Sequence, residues 1–183
     1  NHVEDILKKE KNVKAIITVH YGGSPVDMKN VFELAEKYGL FVLEDAAHAL
    51  ESTSSAGKIG NTNHGAAFSF YANKNLTTFG EGGALATNDD DLAHSVKNLS
   101  LHGITKDGWK RFDSGGKWEY DIIQLGYKYN MPDIAASFGI WQLNQISEWQ
   151  EIRIEIVNRY LTGLGNNEGI ILPDYTNNDG NAW

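Results

Sequence analysis

The stretch from Ala15 to Asp45 constrains the fold more than any other part of the chain. Residues 15–20 (AIITVH) form a short apolar run rich in β-branched side chains, and residues 40–44 (LFVLE) form a second. Such runs suit the half-buried surface of a pleated strand. Between them, Gly22-Gly23-Ser24-Pro25 marks a turn, and Asp27 is placed to cap a helix with Val31, Leu34 and Ala35 on one face. Gly39 supplies the stop. A strand, a helix and a strand in so short a span make a βαβ unit, with parallel strands and a right-handed crossover. The expected class is therefore α/β, a mostly parallel sheet with flanking helices.

The rest of the chain extends that unit. Residues 3–10 have a helical pattern, and residues 52–65, rich in Ser, Gly, Thr and Asn, read as loop with a small hairpin about Gly57. Residues 66–71 (AAFSFY) and 84–87 (ALAT) predict two further strands. With no helix between them they should pair antiparallel inside the otherwise parallel sheet. Residues 89–101 form an amphipathic helix whose Asp-rich first turn suits the helix dipole. Residues 103–126 carry no period and read as a long loop, a length that is often functional. Pro132 sits at a helix start, and the pattern predicts one long amphipathic helix over 133–149 and another over 151–164.

Composition narrows the chemistry. The 183 residues carry 16 Lys and Arg against 24 Asp and Glu, a formal charge of −8, with no dense basic run. Phosphate-backbone binding needs clustered cations, so a nucleic-acid surface is excluded. The nearest approach to such a run, Lys8-Lys9 with Lys11 and Lys14, is the solvated face of a helix. The absence of cysteine removes disulfides, thiolate zinc sites and Cys nucleophiles, and fits a reducing cytoplasm. No apolar stretch reaches the roughly 18 residues that span a bilayer, and no signal peptide opens the chain, so no membrane partner is expected.

Ligands of open α/β sheets collect beyond the carboxyl ends of the strands, where Asp45 stands. It can hold a ligand's ring nitrogen protonated, or cap the residues from Ala46 onward. A dinucleotide site also wants an acid there, but the Gly-x-Gly-x-x-Gly turn is missing. His48, three residues on, can meet an aromatic ligand or serve the structure. Lys74 lies past the strand of FSFY, before the glycines at 80, 82 and 83, which permit close backbone approach. A loop lysine is ordinarily solvated. Here Ser69, alternating with Phe68 and Phe70, can turn its hydroxyl to a phosphate while the lysine amine meets a carbonyl. His64 shows no metal-ligand spacing, and no metal is expected. His20 reads as structural, and Trp141 and Trp149 as core or domain-interface packing. Trp109, Trp118 and Tyr120 suit either a sugar pocket or a dimer contact.

Four ordered blocks, EDAAHAL, GNTNHGAAFSFYANKNLTTFGEGGALAT, LHG and LGYKYNMPDIAASFGIWQL, resemble the DegT/DnrJ/StrS nucleotide-sugar aminotransferases. These are pyridoxal phosphate enzymes of the type I, aspartate aminotransferase fold. The resemblance covers essentially the whole chain. It implies that Lys74 forms the Schiff base with pyridoxal 5'-phosphate and shuttles the proton, and that Asp45 pairs with the pyridinium nitrogen. By the same resemblance, His48 lies beside the phenolic oxygen and Ser69 binds the phosphate. In most members the GY-x-Y stretch sends an Asn to the phosphate of a neighbouring subunit. Here Lys128 takes that place, with Asn130 two positions later, and a lysine can neutralise a phosphate as a point charge.

The activity implied is transfer of an amino group from an amino acid, glutamate above all, to a nucleotide-linked keto sugar, in a cytoplasmic homodimer. Some relatives are dehydratases with His at the lysine position; Lys74 favours transamination. The EDAAHA and GYKYNM variants resemble members acting on C4 of the sugar. Residues 1–148 are expected to be the later half of the large cofactor-binding domain and residues 149–183 the start of the small one. The chain reads as truncated at both ends, which leaves an inactive fragment or binding module, or a dehydratase or regulatory relative, as alternatives.

Overall fold

The computed structural model describes residues 2–104, 121–172 and 180–183. Helix α1 (His2–Lys9) leads into strand β1 (Ala15–Val19), helix α2 (Met28–Tyr38) and strand β2 (Phe41–Asp45). A small hairpin, β3 (Thr53–Ser54) with β4 (Gly57–Lys58), precedes β5 (Gly65–Ser69) and β6 (Gly83–Ala86). Helices α3 (Asp90–Leu99), α4 (Asp133–Leu143) and α5 (Ile146–Leu164) follow. The four main strands run β1-β2-β5-β6 across one sheet, with β1, β2 and β5 parallel and β6 antiparallel to β5. The α/β class, the βαβ unit, the hairpin at Gly57 and the antiparallel pair are as expected, with ends moved by a residue or two.

Register decides which side chains share a face. Thr18 lies beside Glu44 and Val19 beside Asp45, and Asp45 in turn lies beside Ala67. Alternation then puts Ile16, Val42, Ala66 and Phe68 on one face, where they pack with Leu7 of α1 and Met28 and Ala35 of α2. Ile17, Val19, Asp45 and Ser69 turn to the other face, where Ile17 is 66% exposed. Burying a side chain such as Met28 contributes about 1.5–3 kcal/mol, so the helix-covered face carries the stability and leaves the other face for the site.

Helix ends follow local chemistry. Gly39 takes φ 63°, the left-handed value that a glycine tolerates best. Leu40 N–H then returns to Ala35 O at 2.8 Å and Gly39 N–H to Glu36 O at 3.3 Å, satisfying carbonyls the helix leaves open. Asp89 caps α3 by accepting Asp91 N–H at 2.9 Å and Leu92 N–H at 3.0 Å. Asp27 stands at the N-cap of α2, but its carboxylate does not cap the helix. It accepts Ser55 Oγ at 2.6 Å instead, which with the Asn30 amide holds it below the usual carboxylate range.

The helix expected over 133–149 is two helices. It breaks at Asn144 and Gln145, and α5 starts at Ile146 rather than 151. Periodicity could not place the break because α4 is apolar around its circumference. Ala135 and Gly139 face inward, while Ile134 is 77%, Ile140 62% and Trp141 56% exposed. Trp141 is thus not a core residue of this chain; it contacts Phe138 and Trp149 at the surface. Ile146 and Gln150 of α5 turn inward, as Ala135, Gly139 and Gln142 do on α4. Trp109, Trp118 and Tyr120 lie outside the described residues.

Candidate active site

Two adjacent acids end β2, and they part ways. Glu44 points into the helix-covered face, almost wholly buried, and meets His20 Nε2 at 3.0 Å. His20 Nδ1 accepts Val26 N–H at 3.1 Å, so the ring proton sits on Nε2 and is donated to Glu44. That pair is internally satisfied, and His20 is structural. Asp45 faces the open side. Its Oδ1 accepts Ala47 N–H at 3.1 Å, the strand-end cap the sequence allowed, while Oδ2 has no hydrogen bond among the described residues.

His48 follows on the turn after β2 and is exposed. Gly22 N–H donates to its Nδ1 at 3.2 Å, which places the proton on Nε2 and makes the outward nitrogen a donor. Ser69 ends β5. Its Oγ accepts Tyr71 N–H at 3.3 Å and keeps its own proton to give. Lys74 is half-buried in the following loop, its backbone N–H held by Tyr71 O at 3.0 Å. Gly82 lets that loop close: a Cβ there would stand 2.0 Å from Thr78 Oγ1. Phe70 N–H then reaches Gly82 O at 2.8 Å.

Lys74, Ser69, His48 and Gly22 line one cleft of about 270 Å³ at the carboxyl ends of the parallel strands. Asp45 is not part of its lining; it immediately precedes Ala46 and Ala47 of its wall. An amine, a hydroxyl donor and an imidazole donor thus converge on one space, with a carboxylate next in the chain to its wall. That donor set fits pyridoxal phosphate, which presents an aldehyde, a phosphate, a phenolic oxygen and a ring nitrogen.

Lys128 and Asn130 are not brought to this cleft. The Lys128 amine donates to Asn130 Oδ1, and Lys128 pairs with Leu101 in an isolated bridge. Asn130 lines a different groove of about 750 Å³, beside Gly82, Gly83 and Tyr129. His64 accepts Val42 N–H at 3.3 Å and stacks on Phe32, so it too is structural. Among the described residues no group of His, Asp and Glu could hold a metal ion. None of their helices is long and apolar enough to cross a membrane.

Sequence reasoning missed one wall of the cleft, Ala182 and Trp183. Ala182 N–H reaches both Gly23 O and Ser52 Oγ at 3.1 Å. Gln150 Nε2 holds Asn181 O at 2.6 Å. A Cβ on Gly23 would stand 2.0 Å from Ala182 O, so the approach requires glycine. The available signal was Gln150, a polar residue at an inward position of a helix.

The chain resembles known proteins in sequence and in fold. The model of the DegT/DnrJ/EryC1/StrS aminotransferase family matches residues 1–183. The chain is 46% identical over 171 residues to the spore coat polysaccharide biosynthesis protein SpsC of Bacillus subtilis strain 168, covering 93% of this chain and 43% of that protein. It is 38% identical over 168 residues to the UDP-4-amino-4-deoxy-L-arabinose–oxoglutarate aminotransferase of Shewanella sediminis, covering 90% and 43%. Spr1654 of Streptococcus pneumoniae, described as a sugar aminotransferase and solved in its PMP form, superposes with a TM-score of 0.76 at 34% identity. That match covers 88% of this chain and 46% of Spr1654. The chain spans less than half the length of the curated relatives it matches.

Proposed function

The chain belongs to the DegT/DnrJ/EryC1/StrS aminotransferase family, and on that premise we propose that it carries the lysine side of a pyridoxal phosphate site. In our reading the protein transfers an amino group from an amino acid, glutamate first among donors, to a keto sugar on a nucleotide. The observation that carries this is the convergence of Lys74, Ser69 and His48 on one cleft, whose wall at Ala46 and Ala47 directly follows Asp45.

When bound, the cofactor supplies the carbonyl that carries nitrogen and the ring that accepts electrons. The chain's own residues do the rest. Asp45 Oδ2 would accept a ring N–H, while the Ala47 bond to Oδ1 fixes the plane of the carboxylate. His48 would donate from Nε2 toward a phenolic oxygen, Ser69 would donate from Oγ to a phosphate, and Lys74 Nζ would take up and return the proton that transamination moves.

Lys128 and Asn130 do not line their own cleft, which supports a homodimer in which each subunit offers this pair to the other's phosphate; our reading puts that homodimer in the cytoplasm. Residues 1–148 would belong to the large domain and 149–183 would open the small one, with α5 crossing from one to the other. Full-length protein loaded with pyridoxal phosphate and reduced with borohydride should carry the cofactor on Lys74 by peptide mass spectrometry. Glutamate should then release 2-oxoglutarate from unreduced protein. A reduced label elsewhere, or none, would remove Lys74 from the chemistry; a label with no 2-oxoglutarate would turn the reading to dehydration or regulation.

A further inference from the structure

The loop that carries Lys74 is tied to the rest of the chain by three side chains, two from outside it and one of its own, none of which lies on the sheet that presents it. Gln142 of α4 is buried and grips one residue on both sides: Nε2 donates to Thr77 O at 2.6 Å, and Oε1 accepts Thr77 N–H at 3.2 Å. Asn75, next to the lysine, donates from Nδ2 to Trp183 O at 3.0 Å. Arg153 of α5 reaches Asn75 O through Nη2 at 3.5 Å. Burial lowers the Arg153 guanidinium from its ordinary value, with Glu51 opposing the shift. It nonetheless stays charged, as arginine does in proteins.

These contacts form a path. Trp183 is itself placed by the neighbouring bonds of Asn181 to Gln150 and of Ala182 to Gly23 and Ser52. Helices α4 and α5 therefore end on the backbone, and the segment at 181–183 on the Asn75 side chain, within three residues of Lys74. A lysine on a loop tied only to its own hairpin would sample many positions. Displacing a reacting group by about 1 Å can slow a reaction about 10²-fold, so a tie of this kind bears on rate.

We infer that Gln142, Asn75 and Arg153 are positioning residues that fix the Lys74 loop, so that α4, α5 and the segment at 181–183 set where the amine stands in the cleft. The inference rests on the proposed role of Lys74, and the two fail separately. The test uses full-length protein with Asn75→Asp, which keeps the shape but turns an acceptor toward the Trp183 carbonyl, and Gln142→Glu, which does the same to the Thr77 carbonyl. Arg153→Met removes the cation, and Arg153→Lys restores a single donor.

Amide hydrogen exchange is read first, without cofactor. Exchange at 71–78 should rise about tenfold or more in Asn75→Asp while the amides of β1 and β2 stay unchanged. With cofactor, kcat should fall about 10- to 100-fold at a donor KM within about twofold. Arg153→Lys should recover most of what Arg153→Met loses. Asn75→Asp is half-exposed and keeps the test decisive should Gln142→Glu not fold. Unchanged exchange at 71–78 in Asn75→Asp, or a KM that rises as far as kcat falls, overturns the inference. Failure of the wild type to take up label on Lys74 overturns the functional reading, while the exchange result still decides whether the clamp exists.

Discussion

The βαβ region and the α4–α5 region are both rich in apolar residues, yet they use them differently. From α1 to β5, every second or every third and fourth residue turns inward, and the core from Leu7 to Ala66 closes within that stretch. On α4 and α5, Ile134, Ile140, Trp141, Leu143 and Tyr160 remain exposed. A helix apolar on all sides belongs to a surface that other polypeptide covers, which agrees with the homodimer proposed above. Apolar content alone thus does not distinguish a core from a shared surface; periodicity does. The cleft lies where the two regions meet, with its carboxylate, imidazole and hydroxyl on the first and its lysine loop held by the second.

The largest effect should come at that junction. Lys74→Ala should lower kcat at least about 10³-fold, because it removes both the attachment point and the acid–base group. Folding stability should move by less than about 0.5 kcal/mol, since the half-buried side chain lines the cleft and makes no side-chain hydrogen bond or ion pair among the described residues. Activity assays beside urea unfolding check this, and a variant that lost stability instead would make Lys74 part of the fold. Within the βαβ region, His20→Ala should cost about 3–5 kcal/mol by leaving Glu44 buried without its donor. The double replacement His20→Leu with Glu44→Leu should recover most of that; if it does not, the pair contributes more than mutual satisfaction. Met28→Ala should cost about 2–4 kcal/mol through the cavity it leaves on the helix-covered face.

The same contrast explains what could be read in the sequence. The strands and α2 were legible because each has one buried side and a turn signal at its ends, Gly39 most clearly. Asp45 and Lys74 drew attention because strand ends in α/β sheets gather ligands, so an acid at the end of β2 and a lysine in the loop after β5 have a reason to be noticed. The break at Asn144 was hidden by an all-apolar helix whose period carries no phase. Gln142, Asn75 and Arg153 were hidden for a different reason. Their partners are backbone atoms distant in sequence, and a backbone carbonyl leaves no mark on the residue type that presents it. A buried glutamine in the apolar stretch IWQL was the one clue.

The smallest effect on stability, and the sharpest on the comparison, should be Trp141→Ala. If α4 displays a shared surface, the free subunit has little to lose there, and unfolding of the monomer should change by less than about 1 kcal/mol. An indole at the centre of an interface commonly carries about 2 kcal/mol or more of binding. Sedimentation of the full-length protein should therefore show dimer dissociation at roughly 30-fold higher concentration than wild type. The cleft would report the same loss if Lys128 crosses between subunits, because cofactor affinity would then fall with dilution in the variant and not in the wild type. A Trp141→Ala protein that unfolds about 3 kcal/mol more easily, with its dimer intact, would instead put α4 in the core of its own subunit. The two regions would then differ in degree of burial and not in kind.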